Sequence, residues 1–160
     1  MSKIKYIALI AITVAFSVGC KKSYEVGATN AVKAANSWWV ITAPNGDTTG
    51  QAHIPIVTYN VVDQTDSLWL DDQGYDDLPY KVKVKIDFNA LTFSGTNVPN
   101  DYGTTATITD GKILPKAGHS KAGNIADSIY FKITMAEDPT TTYTVSGVAH
   151  TGFDPEDNWY

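Results

Sequence analysis

From Ser37 onward the chain carries short runs of alternating apolar and polar residues broken by turn-forming residues, a pattern that predicts strand after strand. Runs over Ser37–Thr42, Ile54–Asn60, Ser67–Asp71, Tyr80–Asp87, Leu91–Gly95, Thr104–Thr109, Lys112–Leu114, Asp127–Met135 and Thr141–Ala149 predict about eight or nine strands. Pro44-Asn45-Gly46-Asp47, Asn97-Val98-Pro99-Asn100, Asp110-Gly111 and Glu137-Asp138-Pro139 separate them. Asp110-Gly111 reads as a tight hairpin, because both residue types tolerate the positive φ of a type I′ turn. Ahead of the first strand, Ala31 to Asn36 reads as one or two helical turns.

Parity within the runs assigns the faces. Val82, Val84 and Ile86 point one way and Lys81, Lys83 and Lys85 the other, as in a sheet with one wet face. In Asp127–Met135 the inward set is Ile129, Phe131, Ile133 and Met135. Tyr143 and Val145 continue that face, and Gly147 reads as the site of a bulge or bend. Trp38 and Trp39 are adjacent, so one ring enters the core and the other needs cover on the outside. A sheet of this many strands curls, and closing it removes the edges that invite aggregation. The predicted fold is therefore all-β, an antiparallel up-and-down β-barrel of about eight strands after a short helical turn, in preference to a two-sheet sandwich.

The first thirty residues have a different character. Lys3 and Lys5 precede an apolar run from Ile7 to Val18 that is too short to span a bilayer comfortably, and Ser17-Val18-Gly19-Cys20 follows. This is the arrangement of a lipoprotein signal peptide over residues 1–19. Cleavage before Cys20, the single cysteine, leaves that residue to carry diacylglycerol on its thiol and a fatty acyl chain such as palmitate on its amine. Residues 20–30 form a polar tether and residues 31–160 one domain with a single core. The protein is expected to be anchored in the cell envelope rather than to span a membrane.

Charge narrows the partners. Loss of Lys3 and Lys5 with the leader takes the formal charge from −5 to a more acidic value, and the chain has no arginine. Nucleic acid is excluded as a partner, since phosphate recognition leans on arginine forks and positive fields. With Cys20 lipidated, no thiol remains for a disulfide or thiolate site. The loop Asp71-Asp72-Gln73-Gly74-Tyr75-Asp76-Asp77 has the oxygen ligands calcium prefers but not EF-hand spacing, and reads as a solvated rim loop, as does Asp154-Pro155-Glu156-Asp157. No metal and no cofactor is expected. His53, His119 and His150 show no metal or triad spacing. Ser146 and His150 share strand parity and are the candidate catalytic pair, with no orienting carboxylate in evidence. Trp69, Phe131 and Tyr143 are the candidate ligand contacts, large apolar rings on predicted barrel strands.

Asn36-Ser37-Trp38 resembles the first-strand motif of lipocalins, with asparagine in place of glycine; Trp38 is read as core or as a plug of the closed end. Together with Ser37-Trp38-Trp39-Val40, the run Ser67-Leu68-Trp69-Leu70-Asp71-Asp72, the strand Tyr80-Lys81-Val82-Lys83-Val84, and Tyr143-Thr144-Val145-Ser146-Gly147 with Thr151-Gly152-Phe153, the chain from Ala31 to its end resembles a family of Bacteroidetes envelope lipoproteins described as lipid-binding putative hydrolases. The resemblance implies a lipocalin-like or calycin-like barrel and binding of a small apolar molecule, and it carries over no catalytic residues. Ser17, where leucine is commonest in lipoprotein signals, agrees with that phylum. Outer-membrane anchoring follows, with the periplasmic and surface faces both open. Three functions are consistent with these residues: a non-catalytic binder of a lipid-like ligand, an accessory lipoprotein docking a partner in an envelope nutrient-uptake complex, and a lipid or glycan hydrolase.

Overall fold

A computed structural model describes residues 29–153. The leader, Cys20 and most of the tether, and the acidic run Asp154 to Asp157, lie outside the described residues. A 3-10 turn, Asn30–Lys33, precedes eight strands: β1 Asn36–Pro44, β2 Ile54–Asn60, β3 Ser67–Asp71, β4 Lys81–Asp87, β5 Thr92–Pro99, β6 Thr105–His119, β7 Ile125–Met135 and β8 Asp138–Ala149. Each strand pairs antiparallel with the next, and β8 returns to pair with β1, closing the sheet into a barrel. Closure rather than stacking settles barrel over sandwich. The mechanism is the one that alternation implies: every strand hides one row of side chains, and a closed sheet hides all eight rows in a shared interior.

Strand parity predicts that interior well. Val82, Val84 and Ile86, and Ile129, Phe131, Ile133 and Met135, are all buried. Trp38, Val40, Ile56, Leu68, Leu70 and Tyr80 join them. Tyr80 packs edge-on against Phe131 with centroids 6.0 Å apart, and Phe93 leans on the same ring at 5.8 Å. Eight strands enclose a space that side chains can just fill, and at 0–1 % exposure Tyr80, Phe131 and their neighbours fill the middle of it.

Four local readings are corrected. Asp110-Gly111 is no hairpin; β6 runs straight through it, with a register shift against β7 between Thr109 and Lys112. Asp110 takes φ +56° there, so the same tolerance of positive φ that suits a turn makes a bulge. The predicted strands Thr104–Thr109 and Lys112–Leu114 are thus one. Asn97, Val98 and Pro99 lie in β5, where Asn97 at φ +49° marks a second bulge. Gly147 makes no bulge in β8, since the β1–β8 register is unbroken from Ala149 to Tyr143. Its reason is contact: an added Cβ would fall on the Trp39 carbonyl oxygen and the Val40 Cα. The helical segment is a single 3-10 turn ending at Lys33 rather than Asn36.

Candidate functional site: the two ends of the barrel

The ends of the barrel are built differently. At the end where the described chain begins, the 3-10 turn lies across the opening with Ala31 and Ala34 buried. Thr58 on β2 fastens it. Its hydroxyl donates to the Ala34 carbonyl and accepts from the Trp38 indole N–H at 2.9 Å and the Asn36 amide at 3.1 Å. Trp38 is therefore both core and the base of a closed end. A hollow of about 640 Å³ lies outside this closure, between the turn and the β2–β3 loop, with mixed lining that includes Ala31, Val61, Asp63, Gln64 and Phe88.

The opposite end is framed by the β1–β2, β3–β4, β5–β6 and β7–β8 connections. Here Ile54, Leu78, Val98 and Tyr143 pack on the core yet are only partly buried, forming an apolar rim without a helical lid among the described residues. The acidic loop beside this rim is held by its own backbone. Asp72, wholly buried, accepts N–H bonds from Gly74 at 3.0 Å, Tyr80 at 3.1 Å and Asp76 at 3.4 Å. Burial nevertheless raises its pKa above the ordinary value, with the Asp76 charge adding to the effect and the N–H donors opposing it. Asp71 accepts from the Gln73 amide at 2.8 Å and from the Tyr59 and Tyr102 hydroxyls at 2.9 and 3.2 Å. Burial first, and then this carboxylate, push the Tyr59 hydroxyl pKa up. Asn100 completes the frame, accepting from Lys81 N–H at 2.8 Å and donating to the Pro79 carbonyl at 3.2 Å. These carboxylates are spent on turns and phenols, and among the described residues no group of three or more His, Asp or Glu is placed to hold a metal ion.

Inside this end lie two hydroxyls that sequence reading missed. Tyr80 is fully buried and Thr42 is 7 % exposed, and neither the Tyr80 hydroxyl nor Thr42 Oγ1 has a hydrogen-bond partner. Thr42 shares strand parity with Trp38 and Val40, a signal available in the sequence. Thr42 pairs with Val145, and Val145 with Phe131, so the threonine and Phe131 stand on one cross-strand row of the inner layer, and the Tyr80 ring packs on Phe131.

The structure distributes the ligand candidates over two surfaces. Phe131 is in that inner layer with no exposure, and Tyr143 is one rung nearer the rim, paired with Ile133 and half-buried. Trp69 is on the outer wall: Leu68 and Leu70 take the interior, while its ring stacks on Tyr59 at 6.4 Å beneath the ammonium groups of Lys81 and Lys83 at 5.6 and 5.9 Å. Ser146 lies opposite Ile41 and Tyr130. His150 follows the end of β8, stacks on Trp39 at 5.5 Å and donates its backbone N–H to Ser37. Four residues of extended chain set Ser146 and His150 about 13 Å apart, beyond direct hydrogen bonding.

A closed eight-stranded up-and-down barrel, sealed at one end by an N-terminal turn and a first-strand tryptophan, is a lipocalin-like architecture of the kind that holds one small ligand or its own side chains. The chain belongs to the family described as lipid-binding putative hydrolase, whose model matches residues 23–154. No curated protein matches it.

Proposed function

We propose that this protein is a lipoprotein of the bacterial outer membrane, anchored through Cys20, whose barrel binds a small apolar ligand without catalysis. The asymmetry of the two ends carries the reading. The closed end is where the chain leads back toward Cys20, and there Val32, Val62, Ile125 and Phe153 are among the most exposed large apolar side chains, at 65, 76, 68 and 67 %. Such side chains suit the surface of a bilayer. The partly buried apolar rim is at the other end, opposite the one where the described chain begins. The family description supports lipid as the ligand class, and the lipobox with Ser17 supports a Bacteroidetes source. The separation of Ser146 from His150 supports a binder over a hydrolase.

Native mass spectrometry of residues 21–160 after incubation with an envelope lipid extract tests binding, and a bare protein mass alone would refute it. Cys20→Ala should move the protein from the membrane to the soluble fraction; retention in membranes at high salt would overturn the anchoring. The Trp69–Tyr59 pair on the outer wall favours a second reading, docking of an envelope partner, which predicts that Trp69→Ala abolishes co-purification of that partner.

A further inference from the structure

We propose that the ligand is a neutral lipid bearing a carbonyl or ether oxygen, which enters from the open end and displaces the side chains that fill the barrel around Phe131, so that Thr42 and Tyr80 donate to it, rather than a fatty acid anion; this rests on the ligand-binding reading above. A hydroxyl shut in an apolar interior without a partner costs free energy, and the interior of this barrel keeps two of them, one on the cross-strand row of Phe131 and one on the ring packed against it. Phenylalanine and valine would fill the same volumes without that cost. An oxygen-bearing guest supplies the acceptor that these donors lack.

Charge decides between acid and neutral lipid. Among the described residues no lysine or histidine is buried, and the buried acidic side chains are those of Asp71 and Asp72. Burial raises the pKa of the Tyr80 hydroxyl, and the nearby Asp72, Asp76 and Asp71 side chains add to the effect. A carboxylate brought to this layer would be stripped of water, given no counter-charge and set near like charges. An ester or ketone carries no such cost. The apolar remainder of the guest lies along the rim at Ile54, Leu78, Val98 and Tyr143. Seating it moves Met135 and Tyr143, the former among the most adaptable of core side chains.

All eight strands, the capping turn and the core lie within residues 29–153, so the chain from Lys21 carries the complete barrel. Binding of methyl palmitate, hexadecane and palmitate to this chain is to be measured at pH 8 by native mass spectrometry, beside the variant Thr42→Val/Tyr80→Phe. Methyl palmitate should bind the unaltered chain at least about tenfold more tightly than either other probe, one good hydrogen bond being worth about that factor. The double variant should bind methyl palmitate and hexadecane alike. Equal binding of palmitate and its ester, or an ester preference that survives the double substitution, overturns the assignment while leaving lipid binding intact. Hexadecane bound as tightly as the ester by the unaltered chain does the same. Failure of all three probes overturns both readings.

Discussion

The Trp38 indole donates to the Thr58 hydroxyl at 2.9 Å, and that hydroxyl donates in turn to the Ala34 carbonyl, so one threonine joins the first two strands to the turn that closes the barrel. Thr58 is 3 % exposed. Thr58→Val keeps the shape and strands the indole N–H, the Asn36 amide and the Ala34 carbonyl. A loss of about 2–4 kcal/mol is expected in urea unfolding, each buried unsatisfied group costing about 1–3 kcal/mol with partial relaxation. Thr58→Ser, which keeps the hydroxyl, should recover most of it. A valine variant as stable as the parent would show that the turn is not held through this residue.

Gly147 makes a different kind of closure. It faces Val40 across the β1–β8 seam, and the atoms an added Cβ would strike are backbone, which cannot rotate away. Gly147→Ala should therefore cost about 3 kcal/mol or more, at the upper end of overpacking effects. The loss should be local in hydrogen exchange: amides of β1 and β8 lose protection before those of β3 and β4. Uniform loss across the barrel would contradict a seam-specific clash.

Legibility followed how local each cause is. β2 and β3 match their predicted bounds and β4 and β7 their predicted faces, because one wet face imposes strict alternation that any stretch reveals by itself. Trp69 was read as a ligand contact on a barrel strand, although the leucines on both sides of it, once buried, leave its ring only the outer wall. Asp110-Gly111 was not, because positive φ serves a turn and a bulge equally, and only the pairing of Lys112 with Tyr130 on the far side of the shift tells them apart. The unpartnered hydroxyls of Thr42 and Tyr80 were beyond sequence reading for a stronger reason: lack of a partner is a property of every strand around them.

Those hydroxyls make a prediction in the unliganded protein. Where a buried donor has no acceptor, replacing it with an apolar isostere removes a penalty rather than an interaction. Tyr80→Phe and Thr42→Val should each leave stability unchanged or raise it by about 1 kcal/mol in urea unfolding, with an unchanged denaturant slope. A loss of 1 kcal/mol or more would mean the hydroxyl is paired in solution.

Asp72 gives stability a pH dependence of the less usual sign. Burial is the largest influence on it and raises its pKa above 3.8 despite three N–H donors. Between its unfolded and its raised folded pKa the native chain holds the proton more often than the unfolded chain does, so this group's contribution to stability falls as pH rises through that window and is constant above it. Asp66 and Asp110, held below the ordinary value by hydrogen bonds to Lys85 and Lys132, have the opposite sign, losing stability as pH falls through their folded values. Comparison with Asp72→Asn isolates the first effect, because the other carboxylates titrate in both proteins and cancel. The amide costs a pH-independent offset, since its NH₂ meets the Asp76 amide where the carboxylate accepted. Urea unfolding from pH 7 to pH 3 should show the parent gaining stability relative to Asp72→Asn as pH drops into the window, then levelling. A parent that instead loses ground to the asparagine variant on acidification would mean that the Gly74, Asp76 and Tyr80 amides outweigh burial and hold Asp72 ionised.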